Sequence, residues 1–259
     1  MKKKLKLAKR KRILFVVIFV LLAASVVYAG VMFAQAPSGV STKESEYVKS
    51  DYVLMILQCI VGMVVIFLPA QAEQRYGIDI PDMMEMIYFI FLFCAIYLGE
   101  VQNFYYRVPF WDTILHGFSA IMLAALGFFL VDFMNRSKTL HLRLQPFFVS
   151  FFAFCFATTC GVVWEIYEFT ADQLLGTNMQ KFMTAEGVVL SGHQALGDTM
   201  KDIIVDMACA LAIVVLGYWN LKRLEKRRMG TNPPLALAEA PVKPLEKADP
   251  ASEKNEIRN

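Results

Sequence analysis

Residues 13–35 read ILFVVIFVLLAASVVYAGVMFAQ, twenty-three residues without a formal charge. At 1.5 Å per residue a helix of this length covers about 34 Å, enough to cross the ~30 Å of hydrocarbon in a bilayer. Five further uncharged runs follow: Tyr52–Ala72, Met86–Gly99, Gly117–Val131, Leu144–Trp164 and Met207–Leu221. Inside lipid only a helix or a closed barrel satisfies every backbone polar group. The reading is therefore an all-α integral membrane protein, a six-transmembrane-helix bundle with helices near 13–35, 51–70, 83–101, 112–133, 147–171 and 199–221. Composition agrees, since 57% of the 259 residues are hydrophobic and 19% charged, against about half and a quarter in soluble domains. Six spans leave no room for a nucleic-acid-binding fold, a doubly wound nucleotide domain or a disulfide-stapled module.

The basic residues orient the bundle. Eight of the first twelve residues are Lys or Arg, and further groups lie at Arg136, Lys138 and Arg143 and at Lys222, Arg223 and Lys226 to Arg228. Cytoplasmic loops collect such residues, which predicts both termini in the cytoplasm and segments 36–51, 100–112 and 172–199 outside. The expected location is the bacterial cytoplasmic (inner) membrane, with membrane lipids as partners and no nucleic acid. The basic head and Ala34-Gln35-Ala36 imitate a secretory signal, but the apolar run exceeds the usual 7–15 residues of one, so it reads as an uncleaved anchor. Three regions result: a basic head (1–12), a six-span membrane domain (13–222), and a basic then proline-rich tail (223–259) with a disordered composition. All five cysteines fall in apolar runs and read as small buried hydrophobes. The long outer connection after 172 reads as a loop with one short surface helix over Met179–Ala185.

Charges within spans are expensive, so their placement is the main functional signal. Glu100 closes span three, Asp112 and His116 open span four, Glu165 and Glu168 close span five, and Asp198, Asp202 and Asp206 open span six. Alternating span direction brings all these ends to the outer side. Spacings of three and four keep each set on one helical face. His116, Glu165, Asp202 and Asp206 lie deepest and form the core of a candidate metal or proton site. Glu100, Asp112, Glu168 and Asp198 are weaker members, for which helix capping or interfacial water is a competing account. His193, in the outer loop, is a further weak candidate. Trp111 and Trp164 read as interfacial aromatics.

So many carboxylates, with only Arg107, Lys181, Lys201 and His116 to offset them, must either protonate or bind a cation. Carboxylates with one imidazole suit Mg²⁺, Mn²⁺ or Zn²⁺. The leading reading is an outward-facing site in a metal-dependent enzyme acting on lipid-linked or envelope substrates. A cation- or proton-coupled transporter and a non-catalytic structural partner are the alternatives. The small-residue stretches Gly117 to Gly127 and Thr158 to Gly161 suit close packing, either within one bundle or against a second copy.

Three segments also carry a family likeness. Trp111-Asp112-Thr113-Ile114-Leu115-His116-Gly117-Phe118, Gly161-Val162-Val163-Trp164-Glu165-Ile166-Tyr167-Glu168 and Gly197-Asp198-Thr199-Met200-Lys201-Asp202 with Asp206 resemble, in order and spacing, the uncharacterised bacterial inner-membrane family typified by YjdF. The resemblance covers roughly residues 50–222 and implies a polytopic bundle without an assigned reaction. A more distant similarity is to VanZ-like membrane proteins.

Overall fold

Helix begins ahead of the first apolar run. In the computed structural model, which describes residues 2–38, 47–136, 144–184 and 188–231, α1 spans Lys2–Gln35. The basic head continues the helix because Lys, Arg, Leu and Ala are all good helix formers. Helix α2 spans Lys49–Val65, and the Asp51 carboxylate accepts from the Val48 N–H at 2.8 Å, serving its open N-terminus.

Span two differs from its expected 51–70. The chain breaks after Val65 and resumes as α3, Leu68–Tyr76, with Pro69 in its first turn. Proline has no N–H for the carbonyl four residues back, which is Val65. That carbonyl accepts instead from the Tyr88 hydroxyl at 2.7 Å, so the break is satisfied by a neighbouring helix. Gly77 then ends α3 in the left-handed conformation, at φ +64°.

Helix α4, Asp82–Leu92, runs on as a π-helix over Phe93–Val101. Its wider turn ends with the Gln102 N–H donating to the Tyr97 carbonyl five residues back, at 2.9 Å. After a single turn, α5 at Phe104–Arg107, come α6, Trp111–Arg136, and α7, Pro146–Leu175. Pro146 starts α7 where an N–H is not needed. The last helix, α8, spans Gly197–Thr231.

Among the described residues the fold is all-helical, and five helices are long and apolar enough to cross a membrane: Leu7–Gln35, Lys49–Tyr76, Asp82–Val101, Trp111–Asn135 and Pro146–Leu175. The expected sixth, in α8, is not among the five; its uncharged run, Met207–Leu221, is fifteen residues long, short of the ~20 needed alone. Between Asp172 and Asp198, the described residues 179–184 of the expected surface helix over Met179–Ala185 are not helical. Residues 179–180 turn, and Met183 makes an isolated antiparallel bridge to Val189.

Among the described residues, two cores hold the helices. Ile18 and Leu22 of α1, Met55 and Cys59 of α2, and Phe89 and Ile96 of the third span are buried together. Lys11 ties α1 to α4 through Asp82, at 2.7 Å, and the buried Glu85. The second core is built from small residues, with Ala120 and Ala124 of α6, Ala153 and Ala157 of α7, and Ala210 and Val214 of α8. A Cβ on Gly127 would lie 2.8 Å from the Ala153 Cα, and one on Gly117 3.1 Å from the Cys209 Sγ. The small-residue stretches thus serve helix approach within this bundle. The cysteines are free, but only Cys59 is buried; Cys94, Cys155, Cys160 and Cys209 are half-buried, which corrects the expectation of five buried thiols.

The chain divides into two units, Met1–Trp219 and Asn220–Asn259. Helix continues to Thr231, past the expected start of a disordered tail at 223, because Leu221 to Arg228 are strong helix formers and the first proline comes at 233. The tail expectation for 232–259, and His141, lie outside the described residues.

Candidate functional site

His116 projects from the first turns of α6 into the space between α6, α7 and α8, and is 5% exposed. Its Nδ1 lies 3.3 Å from Asp206 Oδ2, and its Nε2 lies 3.8 Å from both Asp112 Oδ1 and Glu165 Oε1. One ligand atom each from Asp112, His116 and Asp202 lie within 4.8 Å of one another. Four of the core candidates, His116, Glu165, Asp202 and Asp206, are therefore buried around one point, and Asp112 joins them at a half-buried position.

The helices are cut to admit these groups. A Cβ at Gly161 would lie 2.3 Å from Asp206 Oδ2, so the carboxylate rests directly on the α7 backbone where a side chain is missing. The Thr199 hydroxyl stands beside the Glu165 carboxylate, while among the described residues Asp202 Oδ1 and Asp206 Oδ1 are buried without a hydrogen-bond partner. Such an atom ordinarily costs about 1–3 kcal/mol, and more when charged.

Lys181 closes the end of the cluster nearest the loop after α7. Its ammonium pairs with Asp112 and lies 3.2 Å from Asp198 Oδ2. Burial works against that charge, but the two carboxylates outweigh it and hold the Lys181 pKa above the ordinary lysine value. The loop is placed by Asp172, whose carboxylate accepts from the Thr177 hydroxyl at 2.6 Å and from the Met179 and Gln180 N–H groups at 2.7 and 3.0 Å. Asn178 adds a two-way bond with the Met183 backbone. Sequence reading missed both residues. Asp172 follows Glu165 and Glu168 at i+7 and i+4 on the same face of α7, a helical signal hidden by assigning 172 to the loop.

The weaker candidates divide. Glu168 is buried and accepts from Trp164 Nε1 at 2.9 Å, which also accounts for that tryptophan. Glu100, Asp112, Glu168 and Lys181 line a cavity of about 60 Å³ with Tyr47 and Tyr105. Glu100 thus shares the vestibule and not the cluster around His116. His193 and Lys201 are exposed.

Residues 13–223 match the family described as "Predicted membrane protein (DUF2238)". The chain belongs to this family. The match agrees with the YjdF-like resemblance and covers every residue of the site. A curated relative from Thermotoga maritima, described as an uncharacterized protein, is 27% identical over 152 residues, which is 59% of this chain and 70% of the relative. The similarity to VanZ-like proteins finds no support in these comparisons, and no solved structure matches the chain. What DUF2238 membership establishes is a polytopic helical membrane protein; the family's description assigns no reaction.

Proposed function

We propose that this protein spans a bacterial inner membrane six times with both termini in the cytoplasm, and that its outward-facing site holds a divalent cation, Mg²⁺, Mn²⁺ or Zn²⁺, in an enzyme acting on lipid-linked or envelope substrates. The sixth span is α8, which compensates its short apolar run by burying Ala210 and Val214 in the second core.

The convergence of Asp112, His116 and Asp202 beside partnerless buried oxygens carries the reading. Ligand atoms about 2.1 Å from one ion are at most about 4.2 Å apart, so the observed 4.8 Å needs only a small contraction. In this arrangement Nε2 of His116 is a ligand while Nδ1–H donates to Asp206, the carboxylate–histidine pairing that fixes ring orientation at metal sites. Glu165 stands beside the same nitrogen, within reach of a bound water as a proton acceptor. A bound cation would polarise a phosphate or carbonyl oxygen and lower the pKa of water.

Structural pairing alone is the second reading, favoured by the His116–Asp206 and Lys181–Asp112 contacts. Charge weighs against it. Lys181 and a protonated His116 face Asp112, Glu165, Asp198, Asp202 and Asp206, leaving three carboxylates uncompensated in a medium where each is costly. Elemental analysis of protein purified without chelator separates the two. Near-stoichiometric metal in the wild type, falling about ten-fold in Asp202→Asn with thermal stability retained, is expected; metal-free wild type with a destabilised Asp202→Asn leaves the pairing account.

A further inference from the structure

A groove of about 370 Å³ lies between α1 and the π-helical end of the third span. On its α1 side Leu21, Ala24 and Tyr28 line it, spaced as one helical stripe over about 10 Å. Ala24 and Tyr28 are exposed, on a helix whose outward residues Val20 and Val27 are also exposed, so the stripe faces the lipid side of the bundle. Opposite stand Tyr97 and Gln102, and Arg107 supplies the one formal charge among the described lining residues. Tyr47 completes the wall, and the same Tyr47 lines the cavity that holds Glu100, Asp112, Glu168 and Lys181. One phenol therefore separates a lipid-facing, positively charged groove from the acidic vestibule.

We propose that this groove seats a membrane amphiphile with a phosphate headgroup, its acyl chain along the Leu21–Ala24–Tyr28 stripe and its phosphate on Arg107, next to the acid site across Tyr47. A guanidinium presents paired N–H donors that match two phosphate oxygens, and the phenols of Tyr28, Tyr47 and Tyr97 add neutral donors. Burial keeps the Tyr47 phenol well above its usual pKa, hence protonated and free of negative charge. Among the described lining residues none is a carboxylate, so the phosphate meets no like charge from them. A cation at Asp112, His116 and Asp202 would then have an anionic oxygen to act on. Use of the lipid as substrate rests on the metal reading above, whereas its binding does not.

Native mass spectrometry of the full chain released from detergent tests this, with phosphatidylglycerol, with diacylglycerol that lacks the phosphate, and with millimolar inorganic phosphate as competitor. One phosphatidylglycerol per chain should be retained, diacylglycerol should not, and inorganic phosphate should leave the lipid bound. Arg107→Gln, which removes the headgroup partner, and Ala24→Trp, which fills the acyl stripe, should each weaken retention about ten-fold and leave metal content unchanged. Equal retention in wild type and both variants, equal retention of diacylglycerol, or displacement by inorganic phosphate overturns the proposal. Metal-free protein that retains phosphatidylglycerol in this pattern upholds the groove and refutes the cation; metal-loaded protein without retained lipid does the reverse.

Discussion

Replacing Gly161 by alanine should destabilise the protein by about 1.5–5 kcal/mol. The added methyl would lie 2.3 Å from Asp206 Oδ2 and 3.2 Å from its Cγ, while an ordinary van der Waals contact of a Cβ begins at 3.4 Å. The oxygen must move by about 1 Å. It has little freedom to do so, because Asp206 is 3% exposed and the same Oδ2 faces His116 Nδ1 at 3.3 Å. Overpacking of this size costs about 1–3 kcal/mol, and losing a charge-assisted hydrogen bond about 1.5–3. The better helix propensity of alanine returns about 1 kcal/mol. Denaturant titration in micelles of the wild type, Gly161→Ala, Asp206→Ala and the double variant isolates the effect. In the Asp206→Ala background the methyl meets no carboxylate, so Gly161→Ala should there be close to neutral, giving a coupling of about 1.5 kcal/mol or more. Gly30→Ala is the control: nothing lies within 4 Å of its Cβ position, and it should stabilise α1 by up to about 1 kcal/mol. An equal cost of Gly161→Ala in both backgrounds would refute the placement of Asp206 against α7.

Three further outcomes follow from other parts of the molecule. Asp172→Ala removes the acceptor for Thr177, Met179 and Gln180, so amide exchange at 177–181 should speed by one to two orders of magnitude, at about 1 kcal/mol per lost bond, with α7 protection unchanged. Tyr88→Phe should cost about 1–2 kcal/mol by stranding the Val65 carbonyl, and adding Pro69→Ala should recover much of that by restoring an N–H to it; no recovery would mean the proline does not set the break. In a cysteine-free background, single cysteines in 36–50 and 172–198 should label from outside cells and those in 229–259 should not, and a labelled tail would reverse the topology.

The spans were legible because burial in lipid demands long uncharged helices, and Ile13–Gln35 or Leu144–Trp164 meet that demand without help from the rest of the chain. What crossed a boundary was harder. The resumption of helix after Pro69 depends on a hydroxyl from Tyr88, nineteen residues on, and nothing local announces it. The π-helix over Phe93–Val101 looks in sequence like any apolar helix. At the site, periodicity placed Asp202 and Asp206 on one face and depth singled out His116 and Glu165. It ranked Asp112 below them, because a helix-opening aspartate is usually a cap, whereas this one also faces His116 and Lys181. Lys181 was known only as a nearby charge: its arrival depends on a carboxylate, Asp172, gathering three donors from a loop whose own residues encode no regular structure.

Anomalous diffraction from crystals grown with Mn²⁺ tests the central claim most directly. The account predicts one strong peak among Asp112, His116 and Asp202, about 2.1–2.3 Å from His116 Nε2 and from one oxygen of each aspartate, absent in Asp202→Asn. A peak elsewhere in the bundle, or none with the three side chains placed as here and His116 Nε2 bonded directly to Asp112 or Glu165, would contradict it.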